Sequence, residues 1–170
     1  HDFSILDHLF GEQPAAVTAS GTNHFPGTPE NLAYVTLYYD SGMIAHANVS
    51  WLAAVKVRQI LIGGSKKMVT YDDLEPSEKI KIYDKGVSFT DDPATIQEMR
   101  VGYRTGDMWA PKLAVTEALR VEGEQFVDCI AHSKSSLTDG HLGLRVVQLI
   151  EAAGESMRNK GKTVYIKGGS

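Results

Sequence analysis

The chain has a single cysteine, Cys129, among its 170 residues. It cannot close an internal disulfide, so the fold must rest on burial alone. A chain of this length buries roughly 70% of the surface that its unfolded form exposes, enough for one core, and large-scale disorder is excluded. There is no run of about 20 apolar residues and no signal-type segment, which excludes a membrane-spanning helix and makes cytoplasm the expected compartment. A basic block is also missing: 17 Lys and Arg stand against 21 Asp and Glu, for a net charge of -4. Phosphate neutralisation needs clustered cations, so nucleic acid is not an expected partner. Finally, the chain opens on His1 with no initiator Met. Because residues 1–9 read as the inside of a helix, the expectation is that it is cut from something longer.

Motifs for nucleotides and metals are absent too. There is no G-x-G-x-x-G and no Walker-type loop. Gly63-Gly64-Ser65-Lys66-Lys67 falls between two predicted strands instead of opening a helix, so it reads as a hairpin turn. No residue of this chain is expected to bind a dinucleotide in the Rossmann manner. The histidines are His1, His8, His24, His46, His132 and His141. None pairs with another at i, i+4 or with Cys129 as a zinc site requires, so no metal is expected. Cys129, among Val127, Ile130 and Ala131, reads as a buried inert thiol.

What is present is a change of period along the chain. Phe3, Ile5, Leu6, Leu9 and Phe10 recur at helical spacing, and Gly11 stops the helix. Extended segments rich in Val, Ile, Tyr and Thr follow at 16–21, 32–39, 43–52, 56–62, 68–72, 79–83 and 102–108. In the third, Ala45, Ala47, Val49 and Trp51 alternate with Ile44, His46, Asn48 and Ser50, the period of two of a sheet with one apolar face. Asp40-Ser41-Gly42 forces an antiparallel hairpin. Residues 90–101 keep neither period and read as a surface excursion. Thr116 is the expected cap of a helix with Leu119, Gly123, Phe126, Val127 and Ile130 inside. Thr138 or Asp139 caps another with Leu142, Val146, Leu149, Ile150, Ala153 and Met157 as its stripe. Residues 163–166 read as a last edge strand.

About eight strands against two full helices and a stub predict an α+β fold: an open-faced, mostly antiparallel sheet with helices packed on one face, filling residues 1–170 as a single domain. The other face carries Tyr34, Thr36, Tyr38, His46, Asn48 and Ser50, which suit a partly wet interface. Self-association, or a partner domain, is expected there.

Several runs resemble the C-terminal domain of the glucose-fructose oxidoreductase and inositol dehydrogenase (Gfo/Idh/MocA) family. His1-Asp2-Phe3-Ser4-Ile5-Leu6-Asp7 with Gly11 and Pro14 resembles its start. Val49-Ser50-Trp51-Leu52-Ala53, Tyr103-Arg104-Thr105-Gly106-Asp107 and the tail Thr138-Asp139-Gly140, Gly143-Leu144-Arg145-Val146-Val147 and Glu151-Ala152-Ala153 continue it. The resemblance implies the open-faced, dihydrodipicolinate-reductase-like domain that supplies substrate-binding and homo-oligomer contacts, closest to the branch acting on sugars or nucleotide sugars. It implies an N-terminal Rossmann domain holding NAD or NADP, which this chain does not include.

In that family a helix carries Asp-x-x-x-His, and His1 matches the His; the Asp falls four residues before His1. His1 is therefore the catalytic candidate. An imidazole titrates near neutrality and suits removal of a hydroxyl proton as a sugar carbinol is oxidised. The resemblance puts Tyr103, Arg104 and Asp107 where sugar or phosphate is contacted, although a solvated edge strand accounts for them equally well. Lys56 and Arg58 alternate after Trp51 and would steer an anionic substrate. Two other readings stand beside this one: a non-catalytic oligomerisation or interaction module, and NAD-assisted glycoside cleavage within the same family.

Overall fold

The computed structural model describes residues 1–84, 106–114 and 116–166, together with the backbone of 86–88 and 102–104. They form an α+β structure of open antiparallel sheets and helices, in two compact units. The first comprises His1–Ala54 and Leu119–Ser170, the second Val55–Ala118.

The first unit begins with helix α1, Asp2–Phe10, which ends where Gly11 adopts φ 62° and donates its N–H to the Asp7 carbonyl at 2.9 Å. Only a residue tolerant of the left-handed region closes a helix this way at no steric cost. Strands β1 (Ala16–Thr22), β2 (Leu32–Tyr38) and β3 (Ile44–Ser50) form an antiparallel meander. Gly42, at φ 85°, turns the β2–β3 hairpin as its spacing predicted. The last strand, β10 (Val164–Tyr165), adds to the free edge of β1, giving the order β10-β1-β2-β3.

Alternation then sorts the side chains. Val17, Ala19, Val35, Leu37 and Tyr39 are buried on one side, where they meet Leu149 and Ala153 of helix α3, Gly140–Arg158. Leu37 and Val17 are almost fully enclosed. Enclosing such a side chain contributes about 1.5–3 kcal/mol each. Asp139, and not Thr138, caps α3: its Oδ1 accepts the Leu142 N–H at 2.9 Å. The carboxyl is held below the usual carboxylate range by that hydrogen bond.

One buried polar group completes this core. Strand β10 pairs only with Ala16 and Val17, so β1 outruns it. Ser156 of α3 takes over: its Oγ accepts the Ala19 N–H at 2.8 Å and donates to the Lys162 carbonyl at 2.7 Å. The serine side chain thus substitutes for a strand that has ended, since a buried N–H without a partner is costly.

The second unit holds strands β4 (Gln59–Gly63), β5 (Met68–Asp72) and β6 (Ile80–Tyr83), then the hairpin of β7 (Gly86–Ser88) with β8 (Gly102–Arg104), then β9 (Met108–Trp109). The sheet order is β4-β5-β6-β9, antiparallel throughout. Its register puts Ile60, Tyr71 and Ile80 in one row and Ile62, Val69, Ile82 and Trp109 in another on the same side. Apart from the exposed Trp109 these strand residues are half-buried, and none of the described residues of this unit is fully buried.

Several expectations need correction. The strand expected at 102–108 is two strands in different sheets, β8 and β9. The one expected at 56–62 starts only at Gln59, so Lys56 and Arg58 precede it. Trp51 lies past the end of β3 and is 92% exposed. Helix α2, Ala118–His132, begins two residues after Thr116 and has no buried residue. Leu119 and Phe126, placed inside by their spacing, are 73% and 63% exposed. Ile150 is also exposed, and Ser156 fills the place on the inner stripe of α3 instead. Cys129 is half-buried, with Sγ 3.6 Å from the Ser135 carbonyl. The predicted excursion at 90–101 lies outside the described residues.

Candidate functional site

His1 is exposed at the N-cap position of α1, and its carbonyl accepts the Ile5 N–H at 3.0 Å and the Ser4 hydroxyl at 2.8 Å. The position of His1 depends on the contacts that tie α1 to the core. Phe3 and Leu6 pack against the core cluster. Asp7 accepts two hydrogen bonds from Arg145 of α3, from Nε at 3.0 Å and Nη2 at 2.7 Å. Beyond the helix, Glu12 Oε1 accepts the Ser41 N–H at 3.0 Å and joins the α1–β1 link to the β2–β3 turn.

The Asp7 carboxylate raises the Arg145 guanidinium above its ordinary value, chiefly through these hydrogen bonds. Close by, Tyr39 is raised by burial and by the charges of Glu12 and Asp7. Spacing along the sequence does not name the partner of Arg145, which lies 138 positions away.

The other predicted site residues belong to the second unit. Arg58 donates to Asp73 Oδ2 at 3.3 Å. Asp73 also takes the Tyr71 hydroxyl at 2.9 Å and lies 3.4 Å from Lys79 Nζ. Its carboxyl is held low by these donors, Tyr71 first. Arg58 is therefore engaged by a carboxylate, while Lys56 is exposed. At the other end of the sheet the Asp107 carbonyl accepts the Asp84 N–H at 2.9 Å. The register runs from Gln59 opposite Asp72 to Gly63 opposite Met68 and Tyr83. That is four strand steps, about 13 Å, so the structure does not bring Arg58 and Asp107 together. Gly106 is what lets the chain approach Asp84, because a Cβ there would collide with the Asp84 carbonyl oxygen. Tyr103 and Arg104 lie on β8, opposite Val87 and Gly86.

A feature not expected from the sequence is a shallow cleft of about 260 Å³ on the second sheet, lined by Gln59, Leu61, Thr70, Asp72, Lys81 and Tyr83 among others. Gln59 Nε2 donates to Asp72 Oδ2 at 2.7 Å, the main cause of that carboxyl's lowered pKa. The row Leu61, Thr70, Lys81 was the only signal for this face, and it needs the strand register to be read.

The open side of the first sheet presents Ala16, Tyr38 and Ile44 in one row, Thr18, Thr36 and His46 in the next, and Ser20, Tyr34 and Asn48 in the third. Tyr34 and His46 stack at 6.3 Å, and Thr36 Oγ1 lies 3.0 Å from His46 Nδ1. No Asp, Glu, Lys or Arg stands among these residues.

The turn at 63–67 has no phosphate cradle. Gly64 N–H donates to the Lys67 carbonyl at 3.0 Å, and the segment joins antiparallel β4 to β5. Its amides close a hairpin and open no helix onto a phosphate. Among the described residues no group of three or more His, Cys, Asp or Glu is placed to hold a metal ion. No helix among them is long and apolar enough to cross a membrane.

The chain belongs to the Gfo/Idh/MocA oxidoreductases: the profile described as oxidoreductase family, C-terminal alpha/beta domain, matches residues 1–166. Solved structures agree on the fold. UDP-N-acetylglucosamine 3-dehydrogenase from Acidithiobacillus ferrooxidans is 23% identical with a TM-score of 0.72, over 93% of this chain and 48% of that one. Aldose-aldose oxidoreductase from Caulobacter crescentus, complexed with glycerol, is 18% identical with a TM-score of 0.71, over 95% and 44%. The WlbA dehydrogenase from Bordetella pertussis, in complex with NADH and UDP-GlcNAcA, is 18% identical with a TM-score of 0.65, over 97% and 42%. The chain thus spans just under half the length of these proteins. No curated relative matches it at the level of sequence.

Proposed function

We propose that this chain is the substrate-binding and oligomerisation domain of a two-domain, NAD(P)-dependent oxidoreductase that acts on a hydroxyl of a sugar, cyclitol or nucleotide sugar. The observation that carries the reading is that His1 adjoins a helix which an arginine–carboxylate pair fastens to the core helix. Oxidising a carbinol releases the hydroxyl proton, and an imidazole is the side chain whose ordinary pKa suits accepting it near neutral pH. The dinucleotide is assigned to a Rossmann domain outside this chain, because the turn at 63–67 has no phosphate cradle. Tyr103, Arg104 and Asp107 are the proposed sugar contacts. Lys56 supplies the attraction for an anionic substrate, with Arg58 sharing its charge with Asp73. Dehydrogenases of nucleotide sugars and an aldose oxidoreductase among the structural neighbours support this substrate class.

The test is His1→Ala in the full-length protein, assayed for NAD(P)H formation with UDP-N-acetylglucosamine, myo-inositol and simple aldoses. Loss of general-base catalysis lowers kcat by about 10²–10⁴-fold. Unchanged turnover in His1→Ala contradicts the assignment. Cofactor that cycles internally without NAD(P)H accumulating favours glycoside cleavage instead.

A second reading rests on the uncharged face of Tyr34, Thr36, Tyr38 and His46. Tyrosine-rich surface depleted of charge is the composition of an interface core, and a second copy of the chain matches it without charge complementarity. Sedimentation of the chain is expected to show a self-associating species that Tyr34→Glu dissociates; a wild-type monomer at all concentrations contradicts it.

A further inference from the structure

We infer that Arg145 is a positioning residue for His1: its fork on Asp7 fixes the orientation of α1, and with it the direction in which the imidazole is presented. The inference rests on the reading of His1 as the acid/base group and adds to it the device that aims that group.

The argument starts from how little else holds α1. None of its described side chains is fully buried. Phe3 and Leu6 give it an apolar footing on the core, but such contacts are non-directional and permit the helix to roll. The Arg145–Asp7 pair is directional. Two parallel hydrogen bonds, at 3.0 and 2.7 Å, join a planar guanidinium to a planar carboxylate, which sets rotation as well as distance. The side chains are 31% and 16% exposed, so water competes with the pair only in part. The other end of the strut is firm: Arg145 lies on α3, one turn beyond the first-turn amide capped by Asp139 and one turn before the buried Leu149. Asp7 is six positions from His1, about 9 Å along the axis, so a small roll at Asp7 is transmitted to the helix head.

A merely structural ion pair and a positioning pair make different predictions for Arg145→Lys. Lysine keeps the charge and reaches the same carboxylate, yet it is a point donor without the fork. If the pair serves stability alone, lysine rescues everything. If it aims His1, Arg145→Lys keeps the unfolding midpoint close to wild type but lowers kcat in the full-length protein by about ten- to a hundredfold, the effect of a small misplacement. KM stays within about twofold, since Arg145 is not assigned to the substrate. In parallel, hydrogen exchange at the amides of α1 quickens while those of β1 and β2 stay protected. Asp7→Asn, which retains shape and loses the charge, repeats the result from the other side. Wild-type kcat in Arg145→Lys overturns the inference, as does a loss of kcat that comes with global unfolding. If His1→Ala leaves kcat intact, it is the acid/base reading that fails, and the two failures are told apart.

Discussion

The two sheets are built on the same alternation and end in different states. In the first, Val17, Ala19, Val35 and Leu37 face α3 and are buried. In the second, Ile60, Ile62, Val69, Ile80 and Ile82 share one side as regularly, yet all remain half-buried. Alternation decides which side chains share a face; burial requires an element laid over it. The same contrast separates α3 from α2, since both have apolar spacing and only α3 has residues enclosed. The proposed roles divide in the same way: the firmly packed unit carries His1 and the uncharged face, whereas the second carries the polar groups proposed to contact substrate.

The strongest way to break the contrast is to delete equivalent volume from each sheet. Leu37→Ala is expected to cost about 2–5 kcal/mol, as enclosed leucines do. Ile62→Ala, only half-buried, falls at the lower end of that range or below it. Equal costs by denaturant titration would erase the distinction. Next comes the serine that replaces a strand: Ser156→Ala leaves the Ala19 N–H buried without its acceptor, at about 1–3 kcal/mol, and speeds exchange of that amide. An unchanged Ala19 amide would show that another acceptor exists. Third, Gly106→Ala drives a methyl into the Asp84 carbonyl and costs about 1–3 kcal/mol by overpacking. Faster exchange of the Asp84 amide with β1 and β2 untouched is the expected signature; a change in β1 would count against separate units.

The smallest effect is acid sensitivity. Asp139 has a folded pKa below its ordinary value, so its cap contributes stability that is present above the ordinary carboxylate range and lost as pH falls through the lowered value. Asp73 follows the same sign in the second unit, held low by Tyr71, Arg58 and Lys79. Asp139→Asn keeps a capping oxygen and should flatten the acid limb of the α3 helical signal in circular dichroism. An unaltered acid limb would assign the loss to other carboxylates.

Much of this was legible along the chain. Period two over 43–52 and the Gly42 turn located β2 and β3, because local spacing and turn chemistry act within a few residues. The stripe on α3 located its inner face, apart from Ile150 and Ser156, since a buried serine carries no apolar signal. What spacing could not supply was partnership. Leu119 and Phe126 obey the helical rule without being covered, and Arg145 gives no sign of Asp7. The split of 102–108 into β8 and β9 likewise depends on pairing with β7 and β6, which is a non-local fact. For the site, His1 is proposed through resemblance to a motif, whereas the separation of Arg58 from Asp107 required the register.

The central claim is that this domain works on the substrate side and leaves the dinucleotide to another domain. Calorimetric titration of NADH into the 170-residue chain, with the full-length protein alongside, tests it most directly. The account predicts heats of dilution alone for the chain and saturable binding for the full-length protein; saturable binding by the chain itself would contradict it.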